Sequence, residues 1–223
     1  MKVFFVVDIK CGKVVAGKSG ERESYPPITS ASIAVSSDDA VEVVEEIKPR
    51  FLYAADLDRI MGTGNNLDIL IELSKRVEEF IADCGFRSPA ELEDLPFKPV
   101  VGTETFDITL LDRKCYVSID FKKKFLDASG KFGSWKEAVE FLNSFKLDGI
   151  IVLPIHAVGT MRADFSILEQ ALEISENPVL LGGGISGIED LERLKEMGCK
   201  GVLIATAIHR GRIPVSIVRR GEF

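Results

Sequence analysis

Short apolar runs recur along the chain at intervals that leave room for a helix between most neighbouring pairs. They are Val3–Val7, Phe51–Ala55, Glu79–Ala82, Pro99–Val101, Tyr116–Ile119, Ile150–Leu153, Val179–Leu181 and Val202–Ile204. Several are continuous rather than alternating, the pattern of parallel strands covered on both faces. Between them the apolar positions shift to a three-to-four spacing over Asp38–Ile47, Leu67–Val77, Trp135–Phe145, Phe165–Ile174 and Ile188–Met197. That is the period of a half-buried helix. The pieces after Ser88 and Thr103 are shorter and carry the pattern weakly.

Strand alternating with helix implies right-handed βαβ units and a parallel sheet. Eight such units predict a closed (β/α)₈ barrel of the α/β class, a TIM barrel, with an open doubly wound sheet as the alternative. The 223 residues fall slightly below the ~250 typical of such barrels. No linker rich in Pro, Ser or charge divides the chain, so residues 1–223 are read as one domain.

The halves resemble each other. Gly85-Phe-Arg-Ser-Pro-Ala-Glu-Leu-Glu-Asp-Leu95 echoes Gly184-Ile-Ser-Gly-Ile-Glu-Asp-Leu-Glu-Arg-Leu194. Gly62-Thr63 before Leu67 echoes Gly159-Thr160 before Phe165, and Val7-Asp8-Ile9-Lys10 echoes Ile119-Asp120-Phe121-Lys122. Three echoes in the same order favour a duplicated half-barrel over chance.

The chain is 46% hydrophobic and 28% charged, ordinary for a globular protein with a sizeable core. A net charge of -7 argues against a nucleic-acid partner, which calls for a basic face. No apolar run approaches the ~20 residues of a membrane span. Met1–Val7 is too short for the apolar core of a signal peptide and is interrupted by Asp8, so a cytoplasmic location is expected. Cys11, Cys84, Cys115 and Cys199 form no CxxC pair and only His156 and His209 supplement them, so neither a metal site nor a redox motif is expected, and no cofactor is called for. Cys11 and Cys84 fall just past strand ends, where they could line a pocket.

Barrel enzymes place chemistry at the carboxyl ends of strands and often hold phosphate after the seventh and eighth. Here Gly182, Gly183 and Gly184 follow the seventh run, and Ala205 and Thr206 follow the eighth. Bare glycine amides, the Ser186 hydroxyl and helix N-termini could together hold a dianion. The matching half-site after the third and fourth runs would use Gly85, Arg87, Gly102 and Thr103. Two such sites suit a long bisphosphorylated ligand. Asp8 and Asp120 end the first and fifth strands, so the duplication sets them opposite each other across the barrel mouth. Two carboxylates in different surroundings can divide into acid and base. The competing reading is a local ion pair, for instance with Lys10 or Lys122.

The segment Asp8-Ile-Lys-Cys-Gly-Lys-Val-Val15, the Gly-rich returns, Gly102-Thr103, Ser118-Ile-Asp120 and Ala205-Thr-Ala-Ile208 resemble the histidine-biosynthesis barrel family. That family contains ProFAR isomerase and the cyclase of imidazole glycerol phosphate synthase. The start Asp8–Gly20 reads more like the isomerase's first loop, so no glutaminase partner is implied. The resemblance implies an Amadori rearrangement by acid–base catalysis with Asp8 and Asp120, assisted by Thr160 in the loop after strand six.

Three departures stand out. Asp83-Cys84-Gly85 replaces the family's triple glycine after strand three, Ala157-Val-Gly-Thr160 replaces its acidic Arg-Asp-Gly-Thr element, and Phe121 with Lys122–Lys124 alters the fifth loop. His156 is then either an acid–base or ligand-contacting group or a packed core residue. These changes resemble a divergent branch, related to ProFAR isomerase, from methanogenic archaea and methylotrophs, with a gene-context association to pterin-linked one-carbon metabolism. The expected activity is isomerisation of a phosphorylated sugar or aminosugar by a paralogue of ProFAR isomerase. The alternative is a non-catalytic phosphometabolite-binding or assembly subunit. The expected partner is a phosphorylated small molecule, with neither nucleic acid nor membrane, and a homo-oligomer is compatible with the sequence.

Overall fold

A computed structural model describes residues 1–223. Its strands are β1 (Lys2–Lys10), β2 (Lys13–Val15), β3 (Phe51–Asp56), β4 (Glu79–Asp83), β5 (Lys98–Gly102), β6 (Tyr116–Phe121), β7 (Gly149–Pro154), β8 (Val179–Gly182) and β9 (Gly201–Ile204). From β3 onward each strand pairs in parallel with the next, and β1 pairs in parallel with both β3 and β9. The sheet therefore closes into an eight-stranded parallel barrel, and the open-sheet alternative is excluded. No helix is long and apolar enough to cross a membrane.

The helices are α1 (Ala40–Ile47), α2 (Leu57–Met61), α3 (Leu67–Ser74), α4 (Trp135–Leu142), α5 (Phe165–Ile174), α6 (Ile188–Glu196), α7 (Thr206–His209) and α8 (Val215–Arg220). Helix α1 starts where Asp39 accepts hydrogen bonds from the Val41 and Glu42 amides, and it buries Val43, Val44 and Ile47 against the sheet. Ser134 and Asp164 cap α4 and α5 in the same way, satisfying donors that the first helical turn leaves open. After β4 and β5 the chain forms only the 3₁₀ turns Pro89–Leu92 and Ile108–Leu110. Pro89 and Pro96 leave no room for an uninterrupted α-helix between β4 and β5.

Two short elements escape the periodicity. Helix α2 has five residues and starts directly from β3, capped by Asp56. Strand β2 folds back on β1, with Asp8 opposite Val15 and Lys10 opposite Lys13. The two-residue turn Cys11-Gly12 has φ of 49° and 78°, the left-handed pair that a tight hairpin of this hand requires. Asp58 accepts from the Cys11 amide and Asn66 from the Gly12 amide, which ties the hairpin to the β3–α3 connection.

Alternation sorts the core into two layers. Phe4, Tyr53, Ile81, Val100, Ile151 and Leu180 fill the tube, while their neighbours in sequence pack outward against the helices and loops. At the floor, Glu79 bonds Lys2, Lys98 and the Tyr116 hydroxyl. Leu180 sits between two glycines of adjoining strands. A methyl at Gly149 would approach it to 2.7 Å and one at Gly201 to 2.8 Å.

That arrangement makes a double-mutant test. Leu180→Ala is expected to cost about 2–5 kcal/mol through the cavity it opens, lowering Tm by roughly 5–15 °C. Gly201→Ala alone should also destabilise, by crowding. Combined, the two should be less damaging than their sum, by about 0.5–3 kcal/mol in thermal or denaturant unfolding. Simple additivity would contradict this account of the barrel interior.

Candidate functional site

At the carboxyl ends of the strands the inward positions change from apolar to acidic. Asp8 on β1 pairs in register with Ala55 on β3, and Ala55 with Asp83 on β4. Asp120 ends the inward row of β6 above Tyr116 and Ser118. All three carboxylates line one cavity of about 240 Å³. Closure of the parallel barrel thus brings Asp8 and Asp120 to the same mouth. Neither makes a salt bridge: Lys10 donates to the Arg22 and Glu23 carbonyls instead, and no ion pair links Asp120 to Lys122.

The two differ in surroundings. Asp120 accepts from the Ser118 hydroxyl at 2.6 Å and from the Glu104 amide at 3.0 Å. Burial, reinforced by the charge of Asp83, pushes its carboxyl from 3.8 up to about 8. Asp8 accepts from no protein donor, and burial raises it to about 6 against the opposing pull of Arg22. Burial likewise raises Asp83 to about 6, although the Gly85 amide donates to it.

Two glycines make room for these groups. A Cβ on Gly102 would lie 2.6 Å from an Asp120 oxygen and 3.4 Å from an Asp83 oxygen, so both carboxylates converge on the bare Gly102 backbone. A Cβ on Gly17 would lie 2.5 Å from Asp8 and 2.9 Å from Val158. Its absence lets the segment after β2 close over Asp8. That segment is latched twice, by the Ser19 amide on the Val158 carbonyl and by Arg22 gripping Glu104 with paired bonds of 2.8 and 2.6 Å.

The opposite wall has the other polarity. Gly182, Gly183, Gly184, Ala205 and Thr206 line the cavity, and Gly183 and Gly184 have φ of 87° and 80°. The amides of Gly183, Gly184, Ile185 and Ala205 donate to no backbone acceptor. Lys18 and Arg210 reach the same cavity, and neither pairs with a carboxylate. Ser186 points elsewhere, its amide and hydroxyl both bonded to Asp190 at 2.7 and 2.6 Å.

The residues expected to mirror this wall are held differently. Gly85 gives its amide to Asp83. Arg87 donates to the carbonyls of Arg59, Gly85 and Ile60. The Thr103 hydroxyl accepts from the Asp120 amide, and the Thr103 amide donates to Ser118. Gly102 seats the two carboxylates. None of the four lines the cavity. Thr160 donates to the Ala157 carbonyl at 2.7 Å and also lies outside the cavity wall. His156 is exposed, which excludes the core reading, and does not line the cavity. Cys11 is exposed on the hairpin, Cys84 is buried, and neither lines this cavity.

Sequence reasoning missed Tyr53, Arg22 and Glu104, all in the cavity wall. Tyr53 is only 4% exposed. Burial, with the nearby charges of Asp83, Asp120 and Asp8, drives its hydroxyl well above its usual value. A lone tyrosine inside an otherwise apolar strand was the available signal. Arg22 and Glu104 are separated by 82 residues and carry none.

Comparison with known proteins agrees with this geometry. The profile of the family described as histidine biosynthesis protein matches residues 2–214. An uncharacterized protein of Methanocaldococcus jannaschii is 38% identical, over 95% of this chain and 94% of its own. An isomerase of 1-(5-phosphoribosyl)-5-(5-phosphoribosylamino)methylideneamino imidazole-4-carboxamide (ProFAR) from Methanopyrus kandleri is 29% identical, over 96% and 93%. The enzyme of that name from M. jannaschii is 26% identical, over 92% and 91%. A barrel closed in this order, with aspartates ending its first and fifth strands and a profile match along nearly its whole length, has one reading: the chain belongs to the histidine biosynthesis protein family.

Proposed function

We propose that the protein is an isomerase acting by acid–base catalysis on a phosphorylated sugar or aminosugar other than ProFAR. The observation that carries this reading is the pair Asp8 and Asp120, unpaired with any cation in one cavity and separated in acidity. At neutral pH Asp120 keeps its proton and Asp8 is ionised, the division an aldose–ketose rearrangement uses. Asp120 would protonate the ring oxygen as the C1–O bond breaks and an iminium or carbonyl forms at C1. Asp8 would then take the proton from C2, giving an enaminol or enediol, and return it to C1 while the C2 hydroxyl gives its proton to the Asp120 carboxylate, leaving the C2 carbonyl of the ketose. The Gly183–Ile185 and Ala205 amides, with Lys18 and Arg210, would hold the phosphate and fix the reacting carbons beneath the carboxylates.

A substrate other than ProFAR is supported by two facts. M. jannaschii carries both a named ProFAR isomerase and an uncharacterized relative, and this chain shares 38% identity with the latter against 26% with the former. The second phosphate wall is also replaced by Asp83 and by amides already bonded within the protein.

Turnover of ProFAR and of a panel of phosphorylated aldoses and aminosugars tests this reading. The expected outcome is no conversion of ProFAR and conversion within the panel. Asp8→Asn and Asp120→Asn should each lower the active rate by about 10²–10⁴, and the double variant by little more. Asp8 must be ionised and Asp120 protonated, so the wild-type rate should rise through pH about 6 and fall through pH about 8. Conversion of ProFAR at the family's rate sinks the altered-substrate reading. Asn variants at full rate sink the mechanism, and phosphate binding without turnover of any compound favours a binding subunit.

The carboxylates also leave a stability signature. With Asp83 raised from 3.8 to about 6, the fold favours its protonated form. That contribution is complete below about pH 4 and is lost as pH rises through about 6. Asp83→Asn keeps an acceptor for the Gly85 amide without the charge. It should therefore raise Tm by several degrees at pH 8 and by nothing at pH 4. A gain independent of pH would show that the buried charge is not what destabilises.

A further inference from the structure

We propose that the ligand of this cavity is a monophosphate bearing a primary ammonium group, the phosphate seated at the Gly183–Ile185 and Ala205 amides and the ammonium among Asp83, Asp120 and the Tyr53 hydroxyl. The inference rests on the phosphate wall of the proposed function and names the chemistry of the other end.

Charge is the first argument. Asp8, Asp83, Asp120 and Glu104 share the cavity wall on that side, and Arg22 is already committed by both its terminal nitrogens to Glu104. Asp83 and Asp120 converge on Gly102 with no cation between them. A second phosphate dianion there would meet Asp83 and Asp8, both ionised at neutral pH, in surroundings that screen charge poorly. A cation would meet the reverse.

Tyr53 supplies an independent argument. The residue is 4% exposed and lines the cavity. Its hydroxyl is close enough to all three aspartates to feel their charge, yet it bonds to none of them. The hydroxyl opens on the cavity with its hydrogen-bonding capacity unused inside the protein, so a position lined by this group and two carboxylates suits a guest with several donors. An ammonium offers three, and the Asp83, Asp120 and Tyr53 oxygens offer acceptors on three different strands. The acidic side chains are not arranged to hold a metal ion.

Size points the same way. A cavity of about 240 Å³ lies below the roughly 300–1,000 Å³ usual for drug-sized ligands. It suits a short chain or a single ring with one phosphate better than two ribose phosphates joined through an imidazole.

Isothermal titration with three matched series decides. The probes are ω-aminoalkyl phosphates, ω-hydroxyalkyl phosphates and alkane bisphosphates of two to six carbons, with inorganic phosphate as reference. At one chain length the amine should bind about tenfold tighter than its hydroxyl partner, the scale of one charge-assisted hydrogen bond, and the bisphosphate should bind most weakly. Asp83→Asn and Tyr53→Phe should each reduce the amine preference while leaving inorganic phosphate affinity intact. Gly183→Val should weaken every series equally. Bisphosphates binding best, hydroxyl and amine series binding alike, or an amine preference untouched in Asp83→Asn would each overturn the ammonium site while leaving the isomerase reading standing. Failure of every compound to bind, inorganic phosphate included, would overturn both.

Discussion

Closure of the sheet between β1 and β9 turns a local rule into a global one. Side chains alternate along each strand, so once the sheet becomes a tube every second residue of every strand is forced into one shared interior. Phe4, Ile81, Ile151 and Leu180 fill its waist, and Gly149 and Gly201 yield the volume that Leu180 needs. With the waist packed, the next inward positions have nowhere to go except the mouth. Asp8, Asp83 and Asp120 are gathered there by ladder register, although the first and the last lie 112 positions apart in the sequence.

The barrel was legible because parallel strands covered on both faces leave continuous apolar runs, and every strand of the ring coincides with one. Elements of three to six residues, such as β2, α2 and α8, are too short to express a period. Asp8 and Asp120 were legible because the duplication placed them in equivalent positions. Asp83 could be seen only as a charge where glycine was expected. What it does there depends on Gly102, whose missing side chain admits it beside Asp120, and no local pattern announces such a notch. The grip of Arg22 on Glu104 depends on a loop returning over the mouth, and Ser186 was lost to a neighbour four residues away, Asp190.

The halves of the barrel have thus diverged in chemistry while keeping one architecture. The wall at the ends of β8 and β9 presents amides without backbone partners and the unpaired Arg210, with Lys18 joining it from the loop after β2. The loops after β4 and β5 instead spend their amides on carboxylates, Gly85 on Asp83 and Glu104 on Asp120 of β6. Holding Asp83 and Asp120 out of water, with Asp8 half-buried beside them, weakens the fold at neutral pH, and structural need does not explain it, since a neutral residue could serve the Gly85 amide as well. Such an unfavourable arrangement is characteristic of functional sites.

The absence of α-helices after β4 and β5 bears on how the two walls move. Phe86, Leu92, Phe106 and Ile108 cover that flank from irregular segments, whereas β7, β8 and β9 are backed by α5, α6 and the α7–α8 pair. Side chains borne on turns lack the cooperative backbone ladder of a helix, so openings there release fewer hydrogen bonds at once. Asp83 accordingly stands on the flank covered by turns, while the amide wall stands on the flank backed by helices. An arriving molecule would be anchored by the rigid partner and fitted by the yielding one, so selectivity could drift in this lineage through substitutions around residues 84–113 without disturbing the anchor.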